Sequence, residues 1–231
     1  MNNLADEKYL QRTLFKEPFK KNGVKYMSSV ALTNPMHTSI DGAELHKTYY
    51  GIGNFAIWFL IFIELTEFAF FFVVFLIGKS HYPEIFYQGP TELNTIAGML
   101  NTLILITGSF FVARAVSAIK KDKRNETILF LWLTFVMGAA YCVIKIWEYQ
   151  WNVQSGFDSS SNYFFGVYYY LTFNHFVHVL MGMTVILWVT ICMHLGNYNA
   201  AHHATLESAG LYWHMIDLVW IVIFPILYVL R

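Results

Sequence analysis

Four pairs of ionisable residues stand three positions apart in otherwise apolar stretches: Glu64 and Glu67, Lys145 and Glu148, His175 and His178, and His214 and Asp217. In a hydrocarbon medium each such side chain costs at least about 2.5 kcal/mol on insertion scales, so each requires a partner or a task. Residues i and i+3 share one face of a helix, which lets every pair point into a helix bundle and away from lipid. Glu64 and Glu67 would repel on one turn in low dielectric, so a proton or a cation is expected to neutralise at least one of them. Lys145 and Glu148 read as an ion pair within one helix, near a membrane interface. His175 and His178 lie on one turn and cannot both bind one haem iron axially, so they read as hydrogen-bonding core residues.

No catalytic, cofactor-binding or metal-ligating set is expected among these groups. His194, His202 and His203 gather near one loop, but three histidines without a cysteine read as a solvated loop. Cys142 and Cys192 both fall inside apolar runs and form no CxxC signature or disulfide framework. Nucleotide-binding glycine loops, HExxH and GxSxG are absent from the sequence.

The elements that must position the pairs follow from hydropathy. The 231 residues are 56% hydrophobic and only 13% charged, with 15 basic and 15 acidic side chains cancelling. A soluble domain carries about 25% charged residues, so this chain has too few to coat a globule. The zero net charge also argues against binding nucleic acid. Five runs are long enough to cross a bilayer, approximately 52–77, 96–119, 127–147, 163–195 and 208–230. The expected fold is therefore all-α, a polytopic bundle of five transmembrane helices. Residues 1–50 form a separate N-terminal segment, and 51–231 form the membrane domain. The first 50 residues hold 12 of the 30 charges and no apolar core of signal-peptide length, so the first span is expected to direct insertion.

Lys and Arg set the orientation. Lys8, Arg12, Lys16, Lys20, Lys21, Lys25 and Lys47 precede the first span, and Lys120, Lys121, Lys123 and Arg124 follow the second. The alternate loops carry Lys79 alone, which predicts a cytoplasmic N-terminus and an outer C-terminus. Depth along the spans, at about 1.5 Å per residue, predicts two contacts between helices: His214 or Asp217 with the Glu64 region, and His175 with Glu148. Gly182 lies four residues after His178 and permits close approach of a neighbouring helix. Pro225 removes a helix hydrogen bond and should bend the last span near its outer end.

Three stretches resemble the subunit III family of haem-copper oxidases. The last span reads Trp213-His214-Met215-Ile216-Asp217 and then Trp220, similar to the family's Trp-His, Asp, Trp signature. The fourth reads Thr172-Phe173-Asn174-His175-Phe176-Val177-His178-Val179 with Gly182, and Asn101-Thr102 to Ser109 and Ala113 form a third block. Glu64 matches the buried acid of the family's first shared helix, and Glu148-Tyr149 a Glu-Tyr at the end of the third span. Glu67 is an addition, and Lys145 stands where an uncharged residue is common.

The resemblance implies a non-catalytic accessory subunit with no redox centre of its own. Haem and copper would reside in partner subunits, catalytic subunit I would be the neighbour, and structural phospholipids would lie between helices. It implies a location in the bacterial cytoplasmic membrane and support for proton uptake and stability. Glu64, Glu67, Glu148, His175, His178, His214 and Asp217 are the buried polar residues of interest, and Gly182, Trp213 and Trp220 the helix-packing ones. Five spans resemble both the quinol-oxidase versions and the homologues encoded beside nitric oxide reductase genes, and the ending Ile223-Phe224-Pro225-Ile226-Leu227-Tyr228 looks most like the latter. An accessory role in nitric oxide reduction is one alternative. A small proton-coupled transporter relaying through Glu64, Glu67, His214 and Asp217 is another.

Overall fold

A computed structural model describes residues 55–200 and 202–230. The N-terminal segment expected over 1–50 lies outside these described residues. The described chain is helical: α1 (Phe55–His81), α2 (Pro83–Glu92), α3 (Thr95–Ile119), α4 (Arg124–Gln154), α5 (Tyr163–His194) and α6 (Ala204–Phe224), which runs on into a π-helical turn, Pro225–Val229. Five of these helices are long and apolar enough to cross a membrane, and they cover the five expected spans. Among the described residues there is no strand.

The helix boundaries have local causes. Asn94 and Asn162 each accept a backbone N–H three residues on, from Ala97 at 3.1 Å and Phe165 at 3.0 Å, capping α3 and α5. Arg124, expected only as an orientation signal, also closes the opposite end of α5. Its Nη2 donates to the Met193 and His194 carbonyls at 2.9 and 2.8 Å, and its Nε to Met193 at 3.1 Å. A cation here satisfies acceptors that a helix C-terminus leaves free.

Helix α2 lies in a segment that hydropathy alone reads as a loop. Pro83 occupies its first turn, where the missing N–H costs nothing, and Glu84 complements the positive helix end. Tertiary contact holds it: Phe86 is 1% exposed and meets Phe75 and Phe164 edge to face at 5.0 and 5.5 Å. Gly89 rests directly on the Phe164 ring, where an added Cβ would collide.

Helix α6 is the centre of the bundle. It contacts α1, α3 and α5, and 56% of its apolar stretch is buried, against 22% for α1. Trp213, Ile216 and Trp220 are almost fully enclosed, and Gly182 of α5 faces Trp213 and Ile216. At Pro225 the helix changes type. The α-helix stops at Phe224, and Leu230 N donates to the Pro225 carbonyl at 2.8 Å, the five-residue spacing of a π turn. That turn buries Leu227 and Tyr228 against the bundle.

Candidate functional site

Lys145 and Glu148 of α4 stand at the heart of a closed polar cage. Both are fully buried, and they form the ion pair within one helix that the sequence suggested. Lys145 Nζ donates to Glu148 Oε2 at 3.1 Å, Tyr228 Oη at 2.8 Å and Tyr168 Oη at 3.3 Å. The Tyr168 and Tyr228 hydroxyls in turn donate to Glu148 Oε1 at 2.9 and 2.5 Å. Asn152 Nδ2 donates to Tyr168 Oη at 3.3 Å. The ammonium also lies 5.0 to 5.5 Å from the ring centroids of Tyr149, Tyr168, Trp220 and Tyr228, within cation–π range. A lone charge at this position would be prohibitive, whereas the neutral pair with its donors and acceptors engaged is tolerable. The cage therefore ties α4, α5 and the π turn together.

A second cluster joins α1 to α5. His178 Nε2 lies 2.6 Å from Glu64 Oε2, and His178 Nδ1 lies 2.7 Å from the Asn174 carbonyl. A carbonyl only accepts, so Nδ1 carries a hydrogen and Nε2 faces the carboxylate. Asn174 Nδ2 donates to Glu67 Oε1 at 2.9 Å, and Phe68 covers His178 edge to face at 5.4 Å. Glu64 and His178 are buried, while Glu67 is exposed.

Both contacts expected from depth are replaced by others. Glu64 bonds His178, not His214 or Asp217, because α5 presents its histidine at the same level. His175 does not bond Glu148, whose oxygens are taken by Lys145, Tyr168 and Tyr228. Instead His175 stacks on Trp220 at 5.1 Å and 30°, with Tyr141 edge-on at 5.9 Å, and neither ring nitrogen has a hydrogen-bond partner among the described residues. The reading of His175 as hydrogen-bonding is thus corrected, and its role is aromatic packing. Trp220 links it to the cage and donates its indole N–H to Thr102 Oγ1 at 3.0 Å.

The shared-face expectation also fails in part. Asp217 is buried and its Oδ1 has no partner among the described residues, but His214 is exposed and lines a groove with Lys120 and Glu207. Three residues advance a helix by about 300°, leaving about 60° between the two side chains. That is enough to put one inside and one out, as it does for Glu64 and Glu67. The three loop histidines do not converge: His194 Nε2 accepts from Trp132 at 3.3 Å, and His203 pairs with Glu207 at 3.4 Å, which also binds Lys120 at 2.7 Å.

Residues 59–230 match the family described as Cytochrome c oxidase subunit III. The chain belongs to the cytochrome c oxidase subunit III family. Cytochrome c oxidase subunit 3 of Thermostichus vulcanus is 31% identical over 83% of this chain and 92% of the relative. That of Synechocystis sp. is 29% identical over 86% and 89%, and that of Alkalihalophilus pseudofirmus 31% over 75% and 84%.

Sequence reasoning about this subunit III chain passed over Tyr168, Tyr228, Asn152 and Asn174 as partners, and read Lys145 and Glu148 as an ion pair within one helix without the tyrosines that enclose it. Only Asn174 left a local signal, because it stands four residues before His178, where its carbonyl meets the ring nitrogen. The tyrosines join the cage through helix packing, which no spacing in the sequence reveals.

Proposed function

We propose that this chain serves as a non-catalytic accessory subunit of a respiratory haem-copper oxidase, packed against catalytic subunit I and sustaining its stability and proton uptake. The observation that carries the reading is that Lys145 with Glu148, and Glu64 with His178, face one another inside the bundle. Lys145 is spent on Glu148 and two tyrosines, and Glu64 on His178. Such groups brace a scaffold and leave no row of open sites for a substrate. Redox centres would belong to partner subunits: His175 is held between Trp220 and Tyr141, which leaves no room for a porphyrin plane, and His178 stands on the same turn, so the two cannot bind one haem iron axially.

A multi-pass location in a bacterial cytoplasmic membrane, with the basic end inside, is part of the same reading. Structural phospholipids fit the groove of about 660 Å³ between α1 and α5, walled by Phe70, Phe71, Val74, Gly166 and Tyr170, with Ser159 at its polar end. The relay of a proton-coupled transporter loses its geometry, since Glu64 turns to His178 and His214 faces outward. An association with nitric oxide reductase is not favoured. The ending that suggested it is accounted for by Tyr228 in the cage.

The test is purification by an affinity tag on this chain. Co-migration with a haem-bearing subunit, and faster turnover-dependent inactivation of the oxidase when the chain is deleted, are the expected results. A chain that migrates alone and carries protons across liposomes would overturn the proposal.

A further inference from the structure

The cluster joining α1 to α5 has the composition of a metal site. One oxygen from each of Glu64 and Glu67 and His178 Nε2 all lie within 4.8 Å of one another. Three atoms so spaced sit no more than about 2.8 Å from a common centre, and bonds of about 2.0–2.2 Å would draw each inward by less than 1 Å. Glu67 is on the exposed face and is free to supply that movement.

Two further features separate this cluster from a chance gathering of acids. The buried imidazole is already oriented: its Nδ1–H is committed to the Asn174 carbonyl at 2.7 Å, so Nε2 is the atom aimed at the carboxylates, and the proton it shares with Glu64 Oε2 at 2.6 Å would be released to solvent when an ion binds. A ring N–H held by a backbone carbonyl is the support that metal-bound histidines use. The same Asn174 braces Glu67 through its side-chain amide at 2.9 Å, so one residue positions two of the three donors. Charge points the same way. The Lys145 cage is balanced by its own ammonium, whereas among the described residues Glu64 and Glu67 bond no Lys or Arg and meet only the His178 imidazole and the Asn174 amide. Two carboxylates in an apolar span are neutralised together by one doubly charged cation.

We propose that Glu64, Glu67 and His178 bind a single divalent first-row transition ion of the zinc or manganese type. One nitrogen and two carboxylates suit such an ion, whereas calcium takes six to eight oxygens and disfavours an imidazole. Water or a group from a neighbouring subunit would complete the coordination. The bound ion would staple the peripheral helix α1 to α5. This does not rest on the oxidase reading.

Zinc is the probe. The tagged full chain, extracted with whatever subunits accompany it, is stripped with chelator and equilibrated with Zn²⁺, and the metal per chain is counted by mass spectrometry. Wild type is expected to hold about one more zinc than Glu67→Gln, while Glu126→Gln, an exposed acid paired with Lys123, matches wild type. Equal zinc in wild type and Glu67→Gln would overturn the proposal. Glu67 is exposed, so this variant keeps the buried Glu64–His178 contact and decides the question even where Glu64→Gln misassembles. In a parallel sample loaded with Mn²⁺, pulsed electron paramagnetic resonance should show a nitrogen coupling present in wild type and absent from His178→Phe. An identical nitrogen signal in both would also overturn it. Haem per chain in the same preparation reports separately on the oxidase reading.

Discussion

Replacing Tyr228 by Phe removes one oxygen and leaves the ring in place, so it isolates the contribution of the π turn to the buried cage. The lost hydroxyl donates to Glu148 Oε1 at 2.5 Å and accepts from Lys145 at 2.8 Å. The Lys145–Glu148 contact itself lies within α4 and survives when the helices separate in the bilayer, so it adds little to bundle stability. What folding gains is the set of bonds between elements. Hydrogen bonds between membrane helices average about 0.6 kcal/mol and reach about 1.7. Two lost bonds to charged partners therefore give a destabilisation of about 1–3 kcal/mol. Unfolding the purified protein by denaturing detergent, followed by tryptophan fluorescence, measures it. A cycle with Lys145→Met should give a coupling of about 0.5–1.7 kcal/mol, because both variants break the same bond. A Tyr228→Phe protein within about 0.3 kcal/mol of wild type, or strict additivity with Lys145→Met, would refute the view that the cage holds the end of α6 in place.

Three other outcomes follow from the packing and the loops. Gly89→Ala should cost about 1–3 kcal/mol in the same unfolding assay, since its methyl group meets the Phe164 ring; Gly156→Ala would not match it by collision, because nothing lies within 4 Å there. Arg124→Gln should lower stability by about 1 kcal/mol and speed hydrogen exchange at the end of α5, through loss of its bonds to Met193 and His194. In the exposed loop after α4, hydrogen bonds from the Ser160 side chain and backbone, then Ser161, hold the Asp158 carboxyl below the ordinary aspartate range. Its ordering effect is complete above the unfolded aspartate value and is lost as pH falls through the lower folded value. Exchange of the Ser160 amide should therefore accelerate relative to Asp158→Asn only under acid conditions.

The five spans were legible because a water-soluble domain has little use for apolar runs of membrane length. Their pairing was not. Depth placed Glu64 level with several groups at once, and the same arithmetic that suggested Asp217 equally allows His178, which the structure selects through the contact of α1 with α5. Position along a helix axis carries no information about which helix stands beside it. The i, i+3 rule was similarly coarse, since about 60° of rotation divides Glu64 from Glu67 and Asp217 from His214 between the inside and the outside. Helix α2 was hidden because Pro83, Gly89 and Pro90 read as loop residues, while Phe86 finds its reason only in Phe75 and Phe164. Pro225 announced a distortion but not its kind. The π turn that delivers Tyr228 to Lys145 depends on a cage assembled from three elements.

The buried ion pair also determines how the bundle meets the transmembrane potential. A single charge moved across the bilayer feels about 2.3 kcal/mol per 100 mV. The ammonium of Lys145 and the carboxylate of Glu148 are 3.1 Å apart, roughly a tenth of a hydrocarbon core of about 30 Å. Collapsing a potential of about 100 mV therefore acts on the pair with at most about 0.2 kcal/mol, and reversing it with about twice that. The cage is nearly silent electrically, so the scaffold keeps its shape as a transmembrane potential rises and falls.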